Sequence, residues 1–386
     1  MSSSPRPDVV MLVHTDVRSD GRVRKEAATL AAQGRRVVVV GMSLAGPLPP
    51  PVEQMDGFTV VRVAPRLLRR ALPGKTGRRL RLLASLVLVP VQLRRLKGRV
   101  YHAHDFLELL LVNLAGIRRP VVYDSHELYF DQKIGSRFAL NDLMQLLRPL
   151  EKPLARRAAA VITVSEPIAD RLAQTLGIPR PIVLQNAVDL RHAGPPVVFS
   201  AGGRKIVAHT GALSLGRHLP ELVESLAHLP DEIALVLIGG GPLKAALLEQ
   251  AARLGVGDRL IIVPPVPVNS VSPTLAQADC AALLFAPDSP NYQLALPNKF
   301  FEAVAAGVPL VYGTTQEVGR LAREYDLGVS CDPTDPRSIA EAIQTILQPE
   351  NLARYRENAV KAREILNWEQ EEKKLVALYR RILGDE

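Results

Sequence analysis

Cysteine is nearly absent from this 386-residue chain: Cys280 and Cys331 are its only two, each in an apolar, strand-like run. Such thiols are expected to be buried, so neither a disulfide framework nor a cysteine-ligated metal site is expected. Aromatic residues make up 4% of the chain and no nucleic-acid-binding motif is visible, which argues against a nucleic-acid partner. No run reaches the roughly 18 uncharged apolar residues of a membrane-spanning helix. Residues 1–8 hold no apolar core for a signal peptide. The expectation is a cytoplasmic protein.

A further absence is local. Between Arg66 and Arg99 there is no Asp or Glu, while 11 of the 34 residues are Lys or Arg. The formal net charge of +9 belongs to this segment, because the remaining 37 basic and 39 acidic residues balance to −2. Within it, residues 82–93 are apolar apart from Ser85 and Gln92, with Pro90 inside the run. Two readings stand. One is a peripheral contact with an anionic membrane surface, where each nearby cation contributes about 1 kcal/mol. The other is helices packed on a sheet, with arginines covering its edge.

What is present is alternation. Apolar, strand-like runs at 9–14, 36–40, 58–63, 100–103, 121–123, 160–164 and 182–185 alternate with helical spacing such as Val23, Ala27 and Leu30. Pro195, Pro196, Gly202 and Gly203 then mark a linker over 191–204. The alternation resumes with 206–209, 234–238, 259–263, 281–285 and 310–312. This pattern predicts an α/β protein of two doubly wound domains, 1–190 and 205–367, with a substrate cleft at the carboxyl ends of the strands.

Chemistry-bearing residues gather at those strand ends. Asp16, Asp20, Gly21 and Arg22 follow the first strand, His104 and Asp105 follow 100–103, and His126 and Glu127 follow 121–123. In the second half, residues 296–309 read as a loop and a short helix stopped by Gly307 and Pro309. Phe300, Phe301 and Val304 share its packed face, with Asn298 and Glu302 opposite. Lys299 falls in the first turn, where free N–H groups and the helix dipole favour a phosphate. His102 and His104 suggest a metal pair only weakly, and core packing is the expectation for His102. The triplet Gly239-Gly240-Gly241 lacks the small residue at 244 and the strand-end acid of a dinucleotide site. It is expected to be a tight turn.

Several stretches together resemble family-4 glycosyltransferases: residues 296–309, Asp20-Gly21-Arg22-Val23-Arg24-Lys25-Glu26-Ala27, Tyr123-Asp124-Ser125-His126-Glu127, Val161-Ile162-Thr163-Val164-Ser165, Asn186-Ala187-Val188-Asp189 and Ile238-Gly239-Gly240-Gly241-Pro242. The resemblance implies the GT-B fold, two Rossmann-like domains facing a central cleft, with a tail helix over 368–386 packing back on the first. It implies a retaining transfer of sugar from a nucleotide-diphosphate donor, UDP by family frequency, to an acceptor hydroxyl. Glu302 would bind the donor ribose, Lys299 and Arg217 the diphosphate, and His126 would stand beside the anomeric carbon. Pro297, Asn298, Gly211, Gly240, Gly241 and Val266 would line the donor side; Asp20, Gly21, Arg22, His104, Asp105 and Glu127 the acceptor side.

No cofactor and no metal are expected, and the chain contains no Asp-x-Asp. Leu294 stands where the family usually has the first of two glutamates, and Ala212 where an upstream arginine is common. The alternatives are a nucleotide-sugar epimerase of the same fold and a silent nucleotide-sugar-binding homologue. The acceptor expected is a lipid-linked intermediate, a cell-wall precursor or a natural product.

Overall fold

Long apolar strands with no polar face can be buried only in a sheet covered on both sides, and that is how they are used. The structure is a computed structural model that describes residues 6–18, 20–42, 50–63, 74–131, 145–285 and 290–385, with the backbone only for 74–83 and 85. The chain forms two compact units, Met1–Leu184 with Glu372–Glu386, and Gln185–Glu371.

The first unit is built on β1 (Val9–Val13), β2 (Val37–Met42), β3 (Val52–Met55), β4 (Phe58–Val63), β5 (Val100–His104), β6 (Val121–Ser125), β7 (Ala160–Thr163) and β8 (Ile182–Val183). Their order is β3-β4-β2-β1-β5-β6-β7-β8. All neighbours are parallel except β3, which pairs antiparallel with β4. Every residue of β1, β5 and β6 is buried. The edge strand β3 is absent from the apolar runs above because its residues alternate between exposed and half-buried.

The second unit carries β9 (Lys205–Thr210), β10 (Ile233–Ile238), β11 (Leu260–Val263), β12 (Cys280–Leu283), β13 (Leu310–Tyr312) and β14 (Gly328–Ser330). Its order is β11-β10-β9-β12-β13-β14, all parallel. Phe300 and Phe301 fill the core on one side of the sheet, while Leu213, Leu237 and Ile343 do so on the other. Cys280 and Cys331 are free and buried. The segment 191–204 is held on this unit. Gly194 N–H donates to the Asn269 carbonyl at 2.8 Å, and Val197 N–H donates to Thr274 Oγ1 at 3.0 Å.

Of the basic segment, residues 66–73 and the side chains of 74–83 and 85 lie outside the described residues, as do residues 1–5. The described backbone runs as one helix, Gly74–Leu96, with Pro90 inside it. Among the described residues no helix is long and apolar enough to cross a membrane.

The C-terminal helix, Trp368–Leu383, returns the chain to the first unit. There Tyr379, 1% exposed, has its hydroxyl 2.8 Å from Nδ1 of the fully buried His102. Tyr379→Phe removes this partner and leaves a buried ring nitrogen without it. The expected loss is about 1–3 kcal/mol, read as a lower denaturant midpoint at unchanged slope.

Candidate functional site

In a doubly wound sheet the strand order reverses at one point, and the loops leaving the two strands there diverge to open a crevice. In the second unit the reversal lies between β9 and β12. The loop after β9 begins at Gly211, with φ +99°, where an added Cβ would stand 2.8 Å from Lys299 Cε. The glycine triplet packs directly on this loop. A Cβ on Gly239 would lie 1.9 Å from the Gly211 carbonyl oxygen, and one on Gly241 2.3 Å from that of Leu213. Only hydrogen fits at either position.

Two cations share one ring at this point. Lys299 Nζ lies 5.6 Å from the Phe285 centroid and the Arg217 guanidinium carbon 5.5 Å from it. Arg217 Nε donates to Ser214 Oγ at 3.2 Å, and Lys299 Nζ lies 3.2 Å from His209 Nε2. Among the described residues neither cation is ion-paired with a carboxylate. Burial lowers the Lys299 ammonium to about 7, Arg217 adds to the effect and Glu302 opposes it. Burial lowers Arg217 as well. The pair is therefore a desolvated positive site suited to a polyanion.

The surrounding residues give it direction. The helix Asn298–Ala306 begins at Pro297, with no side chain capping its first turn, and ends at Gly307 in the left-handed conformation. The Thr210 hydroxyl donates to Glu302 Oε2 at 2.7 Å, and Asn186 donates to Asn298 Oδ1 at 2.7 Å. Gly240 abuts the Pro265 ring, and Val266 is half-buried against the core. Leu294 ends the short helix Pro290–Leu294. The structure thus brings together Lys299, Arg217, Gly211 and Glu302. It adds Phe285, His209 and Thr210, whose signal in the sequence was their place at the ends of the two strands flanking the reversal.

In the first unit the reversal lies between β1 and β5. Asp105, just past β5, has φ +74° and ψ 175°, a region nearly closed to residues with a Cβ that costs about 1–3 kcal/mol to hold. Its Oδ1 accepts the His126 backbone N–H at 3.0 Å, and its Oδ2 lies 3.7 Å from His126 Nδ1. On its other side, His126 Nε2 lies 3.1 Å from Asp124 Oδ2 and 3.1 Å from His104 Nδ1. Burial alone would lower His126, but Asp105 and Asp124 overcome it and raise the ring to about 10. Burial likewise opposes the charge on Asp124, and Arg22 and His126 hold it well below the usual carboxylate range.

Two expectations at this end are corrected. Arg22, 3% exposed, is no acceptor contact: its Nε and a terminal nitrogen donate to Asp124 at 2.8 and 2.9 Å, and its Nε lies 2.9 Å from Glu26. A free guanidinium at that depth would be prohibitively desolvated, so it pairs inward. His104 is fully buried, stacked on His102 at 4.2 Å, and its Nδ1 faces His126 Nε2 at 3.1 Å and Asp124 Oδ2 at 3.4 Å rather than an acceptor.

Asp20 caps the helix Gly21–Ala32 by accepting from Val23 N–H, which places Gly21 in the first turn. Glu127 is half-buried beside His126, and its carbonyl accepts from Ser125 Oγ. Glu26, His102, His104 and Asp124 place ligand-type atoms within 4.8 Å of one another. The Arg22 guanidinium already lies against both carboxylates of that group and supplies a positive charge there.

The sequence model of Glycosyltransferase Family 4 matches residues 22–192, and that of Glycosyl transferases group 1 matches residues 195–363. This chain belongs to glycosyltransferase family 4. Among curated relatives of this family 4 member, D-inositol 3-phosphate glycosyltransferase of Xylanimonas cellulosilytica is 26% identical over 216 residues, 51% of this chain and 50% of that protein. The chain spans about half the length of the curated relatives it matches, reaching 64% for a glycogen synthase of Mycobacterium tuberculosis.

Solved structures share the fold. Sucrose-phosphate synthase from Thermosynechococcus elongatus superposes with a TM-score of 0.75 at 18% identity, over 99% of this chain and 100% of that one. HepE of Anabaena, solved with UDP and glucose, gives 0.69 at 17%, over 96% and 98%. The two Rossmann-like units are those of the GT-B fold.

In this family 4 chain the raised His126 contributes stability that is fully present below its unfolded value of about 6.5 and is lost as pH rises through about 10. Imidazole NMR should show His126 still charged at about pH 8. In Asp105→Asn, which keeps an oxygen for the backbone N–H but loses the charge, the midpoint should fall by about one unit. A midpoint near 6.5 in the unaltered protein would contradict the assignment.

Proposed function

We propose that this family 4 member transfers a sugar from a nucleotide-diphosphate donor to an acceptor hydroxyl, with retention of configuration and without a metal. The observation that carries this reading is the Lys299–Arg217 pair, two desolvated cations over Phe285 with no carboxylate ion-paired to them among the described residues. A departing diphosphate supplies the missing counter-charge, and fixed cations stabilise the negative charge that develops on it. The first turn of the helix Asn298–Ala306 adds N–H donors and dipole to the same task. Two cations and a helix terminus can do the work of a metal at the leaving group. Glu302, oriented by Thr210, is assigned to the donor ribose, where a carboxylate accepts from hydroxyls. UDP as the donor nucleotide is supported by the family resemblance and by HepE, a fold neighbour solved with UDP and glucose.

His126 is assigned to the donor sugar, with Asp105 fixing its backbone. Its ring stays charged at neutral pH, so its part is to position and polarise rather than to accept a proton. Lys299→Ala and Arg217→Ala should each lower turnover at saturating donor by about 10²-fold, the scale of losing one preorganised charge contact. Wild-type turnover in both would remove the leaving-group assignment. An epimerase would convert the donor with no acceptor present, so sugar analysis after incubation separates that reading. Thermal stabilisation by UDP-, GDP- or ADP-sugars, absent in Glu302→Ala, identifies the nucleotide. For a ligand at about 100 times its dissociation constant the shift corresponds to roughly 2.7 kcal/mol.

A lipid-linked acceptor is favoured by one surface. On the helix Gly74–Leu96, Val87, Leu88 and Val91 are 66%, 42% and 40% exposed, and the exposed Arg94 and Arg95 follow them. Apolar side chains beside arginines suit the boundary of an anionic bilayer on the cytoplasmic side. Replacing Arg78, Arg79 and Arg81 by Gln should weaken co-sedimentation with anionic vesicles severalfold. Unchanged sedimentation would leave the helix a sheet-packing element.

A further inference from the structure

His209, 2% exposed in β9, is assigned no ligand contact, yet it governs the amine that meets one. Its Nδ1 lies 3.1 Å from the Ala282 carbonyl, which can only accept, so Nδ1 carries the hydrogen. Burial and the neighbouring Lys299 hold the ring neutral, well below its ordinary value. Nε2 is then a bare lone pair, and it faces Lys299 Nζ at 3.2 Å. The lysine amine is thus tied back into the unit, between a neutral acceptor and the Arg217 guanidinium.

We infer that His209 is a positioning residue: it holds the Lys299 amine beside Arg217 and Phe285, so that binding of a nucleoside diphosphate is accompanied by uptake of one proton onto Lys299. This rests on the donor-site reading above. The groups that face Lys299 are His209 from β9, Arg217 from the loop after it, Phe285 just past β12, and Glu302 from its own helix. The His209 lone pair can accept from the amine in either state, whereas burial and repulsion from Arg217 disfavour a second positive charge there. Glu302 favours it. When a diphosphate arrives, its negative oxygens outweigh Arg217. The Nζ lone pair then takes a proton from solvent, and no bond of the ligand is broken. Above about pH 7 the empty site therefore holds less positive charge than the occupied one.

Titration calorimetry of the full chain with UDP, at about pH 8 in Hepes and in Tris, reads the proton directly. UDP's terminal phosphate is already ionised there, and a group with a free value near 7 should take up ~0.9 proton. Lys299→Arg, whose guanidinium stays charged, should bind UDP with near-zero uptake. His209→Gln, which offers an amide oxygen near the place of Nε2, should retain the uptake. His209→Phe should lose more than half of it and bind UDP about tenfold more weakly.

UDP binding with the same heat in both buffers overturns the inference and leaves the donor site standing. Uptake that persists in Lys299→Arg overturns it as well, because the proton then goes elsewhere. Full uptake in His209→Phe overturns the positioning role. If that variant does not fold, loss of uptake in His209→Gln does the same. Failure of UDP, GDP and ADP alike to bind would remove the donor reading itself, a different result from binding without a proton.

Discussion

The pairing of Arg22 with Asp124 is the constraint on which the first unit turns. A guanidinium and a carboxylate that are both out of water must satisfy each other, and removing either leaves an uncompensated charge costing about 3–5 kcal/mol. Arg22 rises from the first turn of the helix Gly21–Ala32, and Asp124 comes from β6, so their bond fixes a helix start against a strand two places from β1. A terminal nitrogen of Arg22 also donates to the Leu184 carbonyl at 2.8 Å, where this stretch of the unit ends. The Asp124 oxygen that faces Arg22 Nε faces His126 too, so the charge that secures the fold also sets the state of the candidate catalytic ring.

The second unit solves the opposite problem. Its cations lie in a desolvated place and are left without a carboxylate ion pair among the described residues. An aromatic face and two neutral acceptors, Ser214 Oγ and His209 Nε2, hold them meanwhile. Pairing inward makes structure, and leaving charge unpaired makes a binding site. The glycines of the loop after β10 serve the same end, because any side chain at 239 or 241 would displace the backbone against which Lys299 is set.

Much of this is legible in the residues alone. Runs such as 9–14 and 234–238 are apolar without alternation, which only a sheet covered on both faces accommodates, and the helix at 298–306 announces its end through Gly307. What was not legible was depth. Arg22, His104 and Asp105 all sit at strand or loop ends where a ligand could reach them, and sequence alone does not say that Arg22 points inward to a carboxylate 102 residues away. In the sequence His209 and Phe285 stand only as the last residues of strand-like runs, since their role depends on which strands become neighbours. The edge strand β3 is marked in the sequence by Asp56-Gly57, which, with φ of 44° and 85°, form the two-residue turn that joins it to β4.

The return of the chain has a consequence for synthesis. The whole second unit, Gln185–Glu371, is read out by the ribosome between the two parts of the first. His102 acquires its Tyr379 partner only when the last helix emerges. The second unit can close as soon as its own strands are made, whereas the first must wait with a buried ring nitrogen uncovered. The unit encoded first is therefore the one completed last, and the interval is a window in which quality control can engage its unfinished face.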